Sequence, residues 1–153
     1  MSKLYDNIGL RFRYPENWTI GEESASEFPL SVSLETPNGG FWTAQVFDSG
    51  DLHEMTMEIL KTMREVYKQV EADSTLEQIE PHELSGFDLH FYCLDLLVSA
   101  SIRALTLPGV AKRSLVVMYQ AEDREFDRLQ PVFLAMLTDL LRNYHVEAAS
   151  ESS

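Results

Sequence analysis

Between residues 87 and 102 the apolar positions change phase. Phe87, Leu89, Phe91 and Cys93 fall on odd numbers, whereas Leu94, Leu96, Val98, Ala100 and Ile102 continue on even ones. Side chains alternate faces along a strand, so one straight strand would turn one of these sets to water. A turn or bulge near 94–100 is therefore required. Hairpins join most of the strands in the sequence, so the sheet should be antiparallel.

The rest of the chain fits that frame. Residues 76–121 read as an antiparallel meander: one strand starts at Gly86, the next ends at Pro108-Gly109, and a buried strand runs Leu115-Val116-Val117-Met118-Tyr119. Leu10, Phe12 and Tyr14 alternate with Arg11 and Arg13, and Pro15-Glu16-Asn17 supplies a turn into a strand begun by Trp18 and Ile20. Residues 21–29 read as an acidic loop. Leu30, Val32 and Leu34 mark a third strand, the turn Pro37-Asn38-Gly39-Gly40 follows, and a fourth strand spans 41–47.

Two segments carry helical spacing. Leu52, Met55, Ile59, Met63, Val66 and Val70 recur every three or four residues, which predicts a helix over 52–72. Asp51 and Glu54 resemble a capping box at its start; Glu58–Lys61 and Glu65–Lys68 are spaced to pair on its exposed side. A second helix fits 124–143, with Phe126, Leu129, Phe133, Met136, Leu137, Leu140 and Leu141 on one face; Pro131 should kink it or begin a second segment. Residues 1–145 are expected to form one α+β domain, a central antiparallel sheet with helices packed on it, followed by a flexible acidic tail at 146–153.

Charge bounds the function. With 25 Asp and Glu against 12 Lys and Arg, the net charge is −13. The basic residues are scattered and form no stripe that could displace counterions from phosphate, so nucleic acid is not an expected partner, and anionic membrane is disfavoured for the same reason. Basic proteins or cations suit the charge better. No signal-like or membrane-spanning apolar run is visible, so the expected location is cytoplasmic. Cys93 is the one cysteine; it excludes an internal disulfide and reads as a small buried hydrophobe.

No motif carries a reaction. Nucleophile elbows, phosphate loops and dinucleotide fingerprints are absent. His53, His82, His90 and His145 lack zinc-ligand spacing, although His82 and His90 flank Gly86 and would approach each other across a hairpin. The cluster Glu122, Asp123, Glu125 and Asp127 is interleaved with Arg124 and Arg128 and reads as carboxylates at a helix N-terminus. Asp95 interrupts an apolar stretch, where a carboxylate needs a partner; Arg103 is the candidate. Phe41 and Trp42 point to opposite sheet faces, which makes this pair the candidate partner contact, set against the alternative that both are core. No catalytic, cofactor-binding or metal-ligating residue is assigned, and no cofactor is expected.

A few residues add a resemblance. Phe12-Arg13-Tyr14-Pro15-Glu16-Asn17-Trp18 matches an opening of the form aromatic-x-Tyr-Pro-x-x-Trp. The Ser85-Gly86-Phe87 turn and the closing Glu125-Phe126-x-x-Leu129-x-Pro131-x-Phe133 run match as well. The chain thus resembles the superfamily that joins the photosystem II extrinsic protein PsbP, the Ran-binding protein Mog1 and bacterial DcrB-like proteins. That resemblance implies an α/β/α sandwich and a protein-binding role, as an adaptor or chaperone. No partner-contact or metal position of that superfamily can be matched here. The expected function is a non-catalytic protein-interaction module, with homodimerisation open; the alternative is a small-molecule binder or an enzyme with a dispersed site.

Overall fold

The computed structural model describes the backbone of residues 1–109 and 111–151, with side chains at 1–109 and 111–144. The phase change resolves as a tight hairpin. β7 (His82–Cys93) and β8 (Leu96–Thr106) pair antiparallel with Cys93 opposite Leu96, so the whole connection is Leu94-Asp95. Both residues have positive φ, 50° and 66°, which a two-residue hairpin turn of the right twist demands. Opposite partners across such a turn carry one odd and one even number, and the change of phase follows directly.

The remaining strands extend this pair into a seven-stranded sheet. β3 (Thr19–Ser24), β4 (Leu30–Glu35) and β5 (Phe41–Phe47) lie on one side, and β9 (Ser114–Glu122) joins β5 to β8. β6 (Lys68–Ile79) closes the other side beyond β7, giving the order β3-β4-β5-β9-β8-β7-β6, antiparallel throughout. The turn at Pro37-Asn38-Gly39-Gly40 forms as expected: the Thr36 N–H donates to the Gly40 carbonyl, the Gly40 N–H donates to the Thr36 hydroxyl, and Gly39 sits at φ 88°.

Other expectations need correction. The opening hairpin pairs β2 (Leu10–Pro15) with β1 (Ser2–Asn7) through an Ile8-Gly9 turn, forming a separate two-stranded sheet, and not with the strand after Trp18. That later strand, β3, pairs with β4 and takes up residues expected as acidic loop. The Ser85-Gly86-Phe87 segment is no turn; it runs through the middle of β7. A Cβ added at Gly86 would meet Ile102 O at 1.8 Å. Gly86→Ala should therefore force β7 and β8 apart and cost about 1–3 kcal/mol, read as a lowered urea midpoint.

α1 (Leu52–Val66) begins as predicted, with Asp51 Oδ1 accepting from Glu54 N at 3.0 Å. It ends earlier than 72, because Tyr67 leaves the helix to pack on Phe91, ring centroids 4.4 Å apart, and Lys68 already belongs to β6. Neither expected Glu–Lys pair forms within the described residues; the one i,i+3 ion pair there is Arg128–Glu125. α2 (Asp123–Glu151) runs through Pro131 without a second start. The expected mobile tail falls on positions whose side chains lie outside the described residues.

The helices lie on opposite faces of the sheet, offset from each other. α2 and the β1–β2 hairpin bury Val32, Leu34, Trp42, Ala44, Val117 and Tyr119 on the β3–β9 side. α1 buries Leu89, Phe91, Val98, Ala100, Ile102 and Val116 on the other face, over β9–β6. The architecture is an α/β/α sandwich in which each helix covers half of one face. β8, next to the central β9, is therefore buried on both sides from Val98 to Leu105, while β4 and β5 alternate between core and partial exposure.

Candidate interaction surface

The half-face that α2 leaves open, over β6–β8, is lined by polar residues. Arg103 sits at its centre, 5% exposed. Its Nε donates to Glu77 Oε1 at 2.8 Å and its Nη2 to Asp88 Oδ1 at 2.8 Å, while Nη1 reaches the carbonyls of Ile102 and Phe87. Burial works to lower the guanidinium's pKa, but the Glu77 and Asp88 contacts and the neighbouring Tyr119 outweigh it, and the net direction is up. Burial likewise pushes the Tyr119 phenol up, against the opposing pull of Arg103. Ser101 donates to Asp88 at 2.9 Å. Beside this group Ser99 Oγ donates to Asp123 at 2.7 Å and lies 3.0 Å from His90 Nδ1. Serine, not histidine, is the middle member here, so the trio lacks the order in which a histidine takes a serine's proton.

This network replaces the pair expected from the sequence. Asp95 is in the exposed β7–β8 turn, and Arg103 pairs with Glu77 and Asp88. His82 and His90 lie on one strand, eight positions apart, and do not face each other across a hairpin. Glu122 Oε2 accepts from the backbone N–H of Arg124 and Glu125, and Glu125 is held by Arg128 and Asn38, which lowers its pKa. These are helix-start roles. Among the described residues no group of three His, Cys, Asp or Glu side chains could hold a metal. Trp42 is 0% exposed, its ring 4.9 Å from Phe12, so it has no surface to offer a partner; Phe41 is half-buried. Cys93 is half-buried as well.

Sequence reasoning missed two surface features. The first is the β7–β8 tip. Leu94 is 94% exposed at positive φ, Tyr92 and Leu96 are exposed on the two strands that flank the turn, and Val66 is exposed at the end of α1. The second is an open groove of about 670 Å³ between the β1–β2 hairpin and α2, walled by Tyr14, Pro15, Pro131, Val132, Leu134 and Met136. A smaller hollow of about 210 Å³ lies on the polar half-face between His90, Ser99, Ser101 and Asp127. No described helix is long and apolar enough to cross a membrane.

No protein-family model and no curated protein matches the chain. Solved structures do. The cyanobacterial PsbP of Synechocystis sp. PCC 6803 superposes with a TM-score of 0.62 at 11% identity, over 90% of both chains. A Mog1 mutant superposes at 0.56 with 10% identity, covering 100% of each chain. PA94 from Pseudomonas aeruginosa, a protein of unknown function described as a putative regulator, superposes at 0.55 with 11% identity, over 91% of this chain and 95% of that one. At such identities the likeness speaks for the fold alone, and in fold this chain is Mog1/PsbP-like.

Proposed function

We propose that this chain is a non-catalytic protein-interaction module, adaptor or chaperone-like, that meets its partner at the β7–β8 tip. Leu94 carries the reading. A left-handed backbone costs a leucine about 1–2 kcal/mol, and its side chain gains nothing in return at 94% exposure. Asn or Gly would make the turn better on both counts. Strain held at an exposed apolar residue supports a role in function, and Tyr92 and Leu96 add exposed apolar side chains on the strands that flank the turn, of the kind that anchors interfaces.

Leu94→Asn tests this directly. Relief of the turn should raise folding stability by about 1 kcal/mol in urea titration. Recovery of the partner from lysate, quantified by mass spectrometry against the unaltered chain, should fall, with a loss of about 2 kcal/mol or more of binding in a purified pair. Unchanged recovery would remove the tip from the reading.

The groove between the hairpin and α2 supports the second reading, a small-molecule binder, because about 670 Å³ lies within the span of ligand sites. The pairing of Arg103 with Glu77 and Asp88, which among the described residues leaves no free cation at the centre of the polar half-face, favours the first reading.

A further inference from the structure

The sheet has two edges, and they are unlike. β3 is six residues long and its register breaks between Ile20 and Glu22. β6 is twelve residues long, and its one irregularity lies near the start, between Lys68 and Glu71, where Gln69 has φ 58°. From Glu71 to Ile79 it is regular, with no proline and no lysine in that span. Every second residue there turns its N–H and C=O away from β7, an open ladder about 30 Å long. Natural edges of this length are normally shielded by lysines, prolines or bulges.

The two faces of this edge differ in chemistry. Glu71 and Asp73 stand on the polar half-face, Glu71 opposite His90 and Asp73 directly opposite Asp88. Like charges so placed repel, and neither Glu71 nor Asp73 has an ion pair among the described residues. On the other face are Ala72, Ser74 and Leu76, the last 69% exposed beside a hollow of about 660 Å³ walled by Leu52, Thr56 and Phe87. From this we infer that the outer edge of β6 receives an extended segment of a partner protein in which basic and apolar residues alternate. The segment adds as an eighth strand, its cations beside Glu71 and Asp73 and its apolar side chains beside Leu76. A second copy of this chain fits poorly, because its own β6 would bring three more carboxylates, Glu71, Asp73 and Glu77, to the same face, in a molecule already at −13.

This inference rests on the reading of the chain as an interaction module but uses a different surface from the tip. The test uses an end-capped, fluorescein-labelled peptide of ten residues in which lysine and valine alternate. Its comparators are a peptide of the same composition with the lysines in one block, and an alternating peptide with every second amide N-methylated. Binding is followed by anisotropy, and amide hydrogen exchange locates it. The alternating peptide should bind and slow exchange across residues 71–79. Binding should weaken about tenfold with Glu71→Gln plus Asp73→Asn, two exposed changes that leave the core untouched. The blocked and N-methylated peptides should bind at least as much more weakly.

Equal binding by all three peptides, protection elsewhere, or a dimer in light scattering with β6 already protected would each overturn the inference. The Leu94→Asn variant separates the two readings. If it loses its natural partner while the peptide fails on the unaltered chain, the edge is excluded and the tip stands. If it keeps the partner while the peptide binds at 71–79, the edge stands alone.

Discussion

Replacing Trp42 with alanine should destabilise the fold by about 3–5 kcal/mol, the usual loss for a large buried aromatic cut back to a methyl group. The indole is fully enclosed, lies against Phe12, and stands opposite Tyr119 on β9, under the hairpin and α2 together. A domain's whole stability is about 5–15 kcal/mol, so this one change consumes much of it. In a chain of this length the melting temperature should drop by about 6–20 °C. Trp42→Phe makes the informative contrast. The indole N–H is buried with no acceptor, and an unmet donor is itself costly. Phenylalanine keeps the ring contact and removes that donor, so its net effect should stay within about 1.5 kcal/mol. Thermal and urea unfolding of both variants decide the matter. An alanine variant that unfolds like the unaltered chain but loses its partner would make Trp42 a surface anchor after all.

What the sequence made legible follows from where burial is one-sided or complete. The phase change after Cys93 called for a turn or bulge because both flanking strands bury one set against α1. α1 announced its start through Asp51, since a cap is a local contact between residues three apart. β1 gave no such sign: of Ser2–Asn7 only Tyr5 is buried, so nothing alternates. Its turn hides as well, because Ile8 at φ 52° is a β-branched residue where a turn normally shows asparagine or glycine. β6 shows little burial along either side, and that absence of pattern is what an open edge looks like in sequence. Trp42 stays open between contact and core in the sequence, because alternation says only that neighbours face apart, not which face a hairpin and a helix will cover.

The centre of the polar half-face was within reach and still missed. Asp95 drew attention by interrupting an apolar run, yet a two-residue turn at 94–95 fixes the partners across β7 and β8. With Cys93 opposite Leu96, Arg103 falls opposite Gly86 and diagonal to Asp88. Diagonal neighbours are within reach of a long side chain. Gly86 contributes room, since it places no side chain opposite Arg103. Glu77 was harder to find, because it belongs to β6, whose position in the sheet depends on pairings that no local pattern records.

That geometry makes Arg103→Met the second large effect expected of this fold. The substitution keeps most of the buried aliphatic volume but strands Glu77 and Asp88 against the space the guanidinium filled. Breaking a buried ion pair by removing one partner costs about 3–5 kcal/mol. The value here should sit near the lower end, about 3 kcal/mol, because the Glu77 and Asp88 side chains keep 28% and 46% exposure. Most of that loss is the uncompensated charge, not the missing contacts, and this can be separated. Adding Glu77→Gln and Asp88→Asn to Arg103→Met removes the stranded charges and should recover most of the stability. Whole-network replacement by neutral residues is often neutral or favourable, whereas removal of one member is not. Urea unfolding at neutral pH of the single and triple variants checks it. If the triple variant is no more stable than Arg103→Met alone, the hydrogen bond of Arg103 to the Phe87 carbonyl, which both variants lose, holds β7 against β8 more than its ion pairs do.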